Sequence, residues 1–326
     1  MEFIDRVFNI PNERTFNETT LEIFRFQYEQ NETYHQYVDA VCSDHSIITH
    51  FRQIPFIPIL FFKTHPIKCG SMAAQKNFLS SGTTGPDKSK HPVLDLKVYR
   101  ESLLRGFKSF YGSPADYDIF ALMPSLEENP DSSLVFMVNE WIRNTPSKIS
   151  GFYLNDFTHL SEILRKEKQT TRKKLVIGLS YALLDFADFF QSSSPDLIIM
   201  ETGGMKGKRK EMIREELYTI LTEKFRIAPI HSEYGMTELL TQAYSKRNGR
   251  FHAPGWMKVL TRDPNDPFQL FPHEKTGCLN IIDLANFNSC SFIATEDLGK
   301  THEDGSFEVL GRFDSSAVRG CNLMID

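Results

Sequence analysis

Two hydrophobic periods run along this chain. Between residues 73 and 230, short apolar runs of strand length alternate with longer stretches of helical pattern. The runs predict strands over 73–79, 118–123, 151–154, 173–178, 196–201 and 226–230. The intervening stretches predict helices near 96–111, 131–143, 157–168, 180–191 and 208–224. Such alternation specifies an α/β fold with a mostly parallel sheet covered by helices. Residues 19–42 carry one helical, amphipathic pattern, and 43–72 are irregular and broken by prolines. After about residue 250 the pattern shortens to strands and turns, as at Pro254-Gly255, 263–267 and Asp304-Gly305. Three divisions follow: a helical segment over 1–72 packed on the core, an α/β core over 73–250, and a smaller β-rich subdomain over 251–326.

Composition narrows the class. With 326 residues and 40% hydrophobic content the chain can build a large core. A net charge of −5 is small for this length, so no nucleic-acid footprint is expected. The first ten residues carry Glu2, Asp5 and Arg6, which does not fit a signal peptide. No apolar run reaches membrane-span length, and the densest, Ile54–Phe62, is interrupted by Pro55 and Pro58. The five cysteines (42, 69, 278, 290, 321) are odd in number and scattered, which predicts a reduced, cytoplasmic protein without a zinc site. The 27 phenylalanines predict an aromatic-rich core first, and a tunnel for a long acyl chain second.

The most informative stretch is 79–88, Leu-Ser-Ser-Gly-Thr-Thr-Gly-Pro-Asp-Lys. Gly82 and Gly85 let the backbone turn tightly and bring N–H groups to a ligand. Ser80, Ser81, Thr83 and Thr84 add hydroxyls, and Lys88 adds a cation. That chemistry suits a polyphosphate. The spacing is neither a Walker A loop nor a dinucleotide fingerprint. A flexible linker is the plain alternative. In parallel sheets ligands bind at the carboxyl ends of strands. The predicted strands put the loop, Glu201-Thr202-Gly203-Gly204 and His231–Glu238 at such ends.

Three further segments are individually weak. Tyr234-Gly235-Met236-Thr237-Glu238 offers a turn, a hydroxyl and a carboxylate that could meet nucleotide and Mg²⁺, or simply cap a helix. Thr295-Glu296-Asp297 places carboxylates after a strand, where one could accept from ribose hydroxyls or be an ordinary acidic turn. Gly311-Arg312-Phe313-Asp314 reads alone as a salt-bridged turn.

Together, over roughly residues 70–320, these segments resemble the adenylate-forming superfamily of acyl-CoA synthetases, adenylation domains and luciferases. That family shows the same four motifs in the same order. Here Pro86 and Asp87 are transposed, Glu296 replaces a glycine and Val318 replaces a lysine. The resemblance implies ATP and Mg²⁺ as reactants and a carboxylic acid as substrate. Ser81, Thr83, Thr84 and Lys88 would grip the β- and γ-phosphates, with Ser80, Gly82 and Gly85 completing the loop. Gly203 and Gly204 would lie against the adenine, and Tyr234, followed by Gly235, would stack on or flank it. Thr237 would bond the α-phosphate and Glu238 would hold the metal. Asp297, helped by Arg312, would bind the ribose. His231 and Ser232 could border the carboxylate substrate, though a satisfied strand-end histidine is an equal alternative.

The usual superfamily chain continues into a small domain carrying a catalytic lysine. This sequence stops fifteen residues after Gly311, so that domain is expected to be absent. Its lysine would be replaced by Lys88 or by a partner chain. Thr202–Gly207 and the ending Arg319-Gly320-Cys321-Asn322-Leu323 resemble the LuxE-type acyl-protein synthetases. That resemblance implies a fatty acid as substrate, Cys321 as acyl carrier and a reductase as acyl acceptor. Nearby Arg312 and Arg319 would favour a Cys321 thiolate, whereas an ordinary buried thiol is the alternative. Two other readings stay open: a ligase serving coenzyme A or a carrier protein, and a non-catalytic nucleotide- or acyl-binding module.

Overall fold

The protein is described by a computed structural model covering residues 2–81, 88–166, 171–190, 197–205, 207–210 and 212–313. Three helices begin the chain: α1 (Glu2–Val7), α2 (Glu13–Gln30) and α3 (Glu32–Val41). The single helical pattern over 19–42 is therefore two helices. Asn31 divides them: its backbone is extended and its side chain accepts from Tyr34 N, capping α3. The irregular stretch that follows contains β1 (Ile57–Pro58) and α4 (Phe61–Thr64).

The phosphate-loop candidate joins β2 (Lys76–Leu79) to β3 (Lys90–Val93). These form a separate two-stranded antiparallel ribbon. The loop thus does not cap a strand of the parallel sheet, as the sequence pattern predicted. A strand of four residues carries too little pattern to declare its partner.

From here helices and strands alternate as expected. In order they are α5 (Leu96–Tyr111), β4 (Tyr117–Leu122), α6 (Ser133–Arg143), β5 (Gly151–Phe152), α7 (Phe157–Arg165), β6 (Lys173–Leu179), α8 (Ser180–Phe189), β7 (Leu197–Thr202), α9 (Arg214–Phe225), β8 (His231–Tyr234) and β9 (Ala243–Ser245). The sheet order is β5-β4-β6-β7-β8-β9, parallel except for β9. Every residue of β4 is buried, as befits a strand covered on both faces. The strand predicted at 226–230 starts instead at His231. Arg226 takes a left-handed turn (φ 54) after α9, and Pro229 has no N–H to give to a ladder.

The second sheet holds β10 (Arg250–Phe251), β11 (Met257–Arg262), β12 (Gly277–Asp283), β13 (Phe292–Thr301) and β14 (Phe307–Arg312). Its order is β10-β14-β13-β12-β11, antiparallel, with β1 running parallel beside β13. Thr295–Asp297 and Gly311–Arg312 lie within β13 and β14, not on turns beyond them.

The two sheets and the N-terminal helices meet at residues 283–291. Gln27 donates to Asn286 O, Phe287 O and Ser291 Oγ, and accepts from Ser291 N. Asn31 donates to Ser289 O. Asp283 accepts from Leu240 N, Thr241 N, Thr241 Oγ1 and Ala285 N. One hydrophobic core runs through all these layers, with Tyr34, Tyr99, Trp141 and Phe292 fully enclosed.

Candidate active site

The loop closes at its base. Ser80 N donates to Ser89 O (3.0 Å) and Ser89 N donates to Ser80 Oγ (2.9 Å). Ser81 and Lys88 stand exposed at the two entrances to the loop. Gly82, Thr83, Thr84 and Gly85 lie outside the described residues, as does Cys321.

Ser89 also hydrogen-bonds the carboxylate of Glu238, which brings the loop and the Tyr-Gly-Met-Thr-Glu segment together. Glu238 is almost wholly buried, and that burial raises its pKa against the pull of Ser89 and Arg312. Thr237 is half-buried, and its carbonyl accepts from His91 Nδ1.

Tyr234, Asp297 and Arg312 form a second cluster. Asp297 and Arg312 face each other across β13 and β14. Tyr234 Oη donates to Asp297 Oδ2 at 2.7 Å, and Arg312 Nε lies 3.3 Å from Asp297 Oδ1. Thr295 Oγ1 accepts from Asp297 N and so fixes the acidic residue's backbone. Asp297 is mostly buried, whereas the Arg312 side chain is 78% exposed. The Tyr234 ring sits against Phe251 and Phe307. Glu238 feels both Arg312 and Asp297, so the two clusters share one field.

Glycines constrain the backbone after β7 and β8. Gly203 and Gly204 follow β7 with φ of 71 each, a left-handed backbone that side chains disfavour. Gly235 is needed for another reason. A Cβ there would lie 2.7 Å from Glu233 Oε1. Glu233 accepts from Thr202 Oγ1 at 2.5 Å, and burial pushes its carboxyl up to about 7. Sequence reasoning missed this carboxylate because nothing next to it marks its partner.

His231 begins β8 and Tyr234 ends it, and alternation puts His231 and Glu233 on one face, Ser232 and Tyr234 on the other. Ser232 is fully buried, bonded to Tyr218 Oη and Glu201 Oε2. His231 Nδ1 lies 3.0 Å from Tyr111 Oη. Burial, with Lys246 and Arg247 nearby, pushes His231 down to about 4, so it is neutral at pH 7. Neither residue joins the Tyr234–Asp297–Arg312 cluster by a hydrogen bond among the described residues. Lys300 is engaged with Glu274 and Glu308.

Among the described residues no three His, Cys, Asp or Glu side chains group as a metal centre. Glu238 alone still suits Mg²⁺, which is commonly held by one or two carboxylates with substrate phosphates and waters completing its shell.

The family model for acyl-protein synthetase, LuxE, matches residues 9–326. No curated protein sequence matches the chain significantly. Among solved structures, 2-hydroxyisobutyryl-CoA ligase in complex with 2-HIB-AMP superposes with a TM-score of 0.69 at 12% identity, covering 94% of this chain and 70% of the ligase. ATP-bound MatB from Rhodopseudomonas palustris gives 0.52 at 15% identity, covering 72% of this chain and 47% of MatB. O-succinylbenzoate coenzyme A synthetase from Bacillus subtilis, in complex with AMP, gives 0.51 at 15% identity, covering 74% and 50%. The chain therefore spans about half the length of the MatB structures it matches. At these identities the likeness speaks for the fold, that of adenylate-forming enzymes.

Proposed function

The chain belongs to the LuxE acyl-protein synthetase family, and on that premise we propose that it activates a carboxylic acid with ATP and passes the acyl group to a thiol. The observation that carries the reading is the convergence of Tyr234, Asp297, Arg312 and Glu238 with Ser89 at the base of the loop. Four separated segments meet there, and each supplies one part of a nucleotide grip.

In the proposed reaction a carboxylate oxygen bonds to the α-phosphorus and the bond to the β-phosphate breaks, releasing pyrophosphate. Both reactants are anionic, so donors and cations must offset their repulsion. Ser81, Lys88 and the loop hydroxyls are assigned to the β- and γ-phosphates, and Thr237 to the α-phosphate. Glu238 would hold Mg²⁺, which supplies charge neutralisation when bound. Asp297 takes the ribose, Gly203 and Gly204 the adenine face, and Tyr234 borders the base while orienting Asp297. His231 is assigned to the acid side, with Ser232 behind it on the other face of β8, held by Tyr218 and Glu201. The chain is assigned a helical segment over 1–72 packed on the core, an α/β core over 73–250 and a β-rich subdomain over 251–326. The free thiols Cys42, Cys69, Cys278 and Cys290 fit a reducing, cytoplasmic setting.

We assign a fatty acid as substrate and Cys321 as the acyl carrier: its thiolate attacks the acyl carbon of the adenylate, the acyl–phosphate bond breaks with release of AMP, and the thioester then serves a reductase. ATP–pyrophosphate exchange against short, medium, long-chain and aromatic acids tests activation. A long-chain preference is expected, and no exchange with any acid would leave a binding module. Intact mass with ATP, Mg²⁺ and the preferred acid should show one acyl adduct, absent in Cys321→Ser. Thioester formed on coenzyme A or a carrier protein, unaffected by that substitution, would make the protein a ligase acting in trans.

A further inference from the structure

The strand leaving the loop carries a group that the reading above does not use. His91, in β3, is completely buried. Its Nδ1 lies 2.8 Å from Thr237 O and its Nε2 lies 3.0 Å from Asn286 Oδ1. A carbonyl only accepts, so Nδ1 must donate. The Asn286 amide is oriented independently of the ring. Its Nδ2 donates to Glu238 O (2.8 Å) and Cys290 O (2.9 Å), which turns its oxygen toward His91. The edge-on ring of Phe62 packs against the imidazole. Burial pulls His91 down to about 4, so the ring is neutral at pH 7, with its one proton on Nδ1 toward Thr237 O and a bare Nε2 beside Asn286 Oδ1.

Two links therefore join Ser89–His91 to Thr237–Glu238. Ser89 holds the Glu238 side chain, and His91 Nδ1 holds the Thr237 carbonyl. We propose that His91 is a positioning residue that locks the Thr237–Glu238 turn to β3 beside Ser89, so that Thr237 and Glu238 keep one register toward the nucleotide. The proposal rests on the nucleotide-site reading above. His91 is fully enclosed, and its effect passes through the Thr237 carbonyl.

The two ring nitrogens can be tested separately. Asparagine places an amide nitrogen near the position of Nδ1, and glutamine places one near that of Nε2. His91→Gln should raise the KM for ATP about tenfold, the equivalent of one lost hydrogen bond. His91→Asn should recover most of that loss. The KM for the acid should move less than twofold in both variants. Equal effects of the two substitutions, or parallel rises in both KM values, would overturn the proposal, because a purely structural role predicts either. Titration calorimetry with Mg·ATP on the full chain reads the same Asn-against-Gln split without catalysis. It therefore holds even where the exchange assay finds no acid and the activity reading fails. Where the variants do not fold, ¹⁵N spectra of the wild-type histidines decide. A protonated Nδ1 on His91 supports the assignment, and a bare Nδ1 sinks it.

Discussion

Glu233 shows how one residue can be set by its surroundings. It is enclosed between Thr202 and Gly235, and burial holds its carboxyl near 7 against an ordinary 4.5. Between those values the native state keeps a proton that the unfolded chain has released. The resulting contribution is fully present below 4.5 and is lost as pH rises through about 7. Its size is on the order of 3 kcal/mol. Glu233→Gln cannot titrate, so relative to wild type it should gain about that much stability between pH 5 and pH 8. Urea midpoints at the two values check this, and an unchanged difference would refute it. The variant-minus-wild-type difference isolates Glu233 from Asp283, whose raised pKa has the same sign. Legibility at this scale follows sequence locality. Tyr234, Glu238, Asp297 and Arg312 announce themselves because each stands inside a short chemical string. Glu233 and His91 do not, since their meaning lies in partners that the fold brings from far away. Thr237 is 146 positions from His91.

At the scale of elements the period-2 and period-3.6 patterns served best where burial was complete. The span 96–111 coincides with α5, and the buried runs of β4, β6 and β7 fall where the apolar runs lie. The pattern failed where backbone chemistry overrode it, at Asn31 and at Arg226–Pro229. It also could not tell that 76–79 pairs in a hairpin, since pairing is decided by a neighbour. The short turn Leu284–Asn286 is a similar case. It carries little periodicity, yet it fixes the segment after Glu238 through Asp283. That carboxylate accepts three backbone N–H groups and one hydroxyl while fully buried. Asp283→Ala would leave those donors unsatisfied, and a loss of about 3 kcal/mol is expected. Denaturant unfolding measures it. A change below about 0.5 kcal/mol would mean that water replaces the carboxylate without penalty.

Across the molecule, the N-terminal helices are tied into the second sheet. β1 adds to β13, Gln27 uses both ends of its amide on residues 286–291, and Ser289 Oγ donates to Ile67 O. The second sheet in turn reaches the α/β layer through Trp256, whose Nε1 donates to Ser102 Oγ and Thr241 Oγ1, and through Asn286, whose Nδ2 donates to Glu238 O. The helical segment over 1–72, expected from sequence to pack on the core, is fastened there by polar groups invisible to hydropathy. This arrangement predicts a single cooperative unfolding transition. Trp141 lies in α6 and Trp256 in the other layer, so tryptophan fluorescence samples both regions, and far-UV circular dichroism samples the whole. The two probes should give coincident midpoints in urea. Gln27→Leu keeps the volume near but strands Ser291 N–H and two carbonyls, at a cost of about 2–4 kcal/mol. If the layers are one unit, that substitution lowers both midpoints together. If Gln27→Leu instead splits the curves, with ellipticity lost before fluorescence, the helices fold as a separate unit. The tie at 283–291 would then be local to the N-terminal helices and the second sheet.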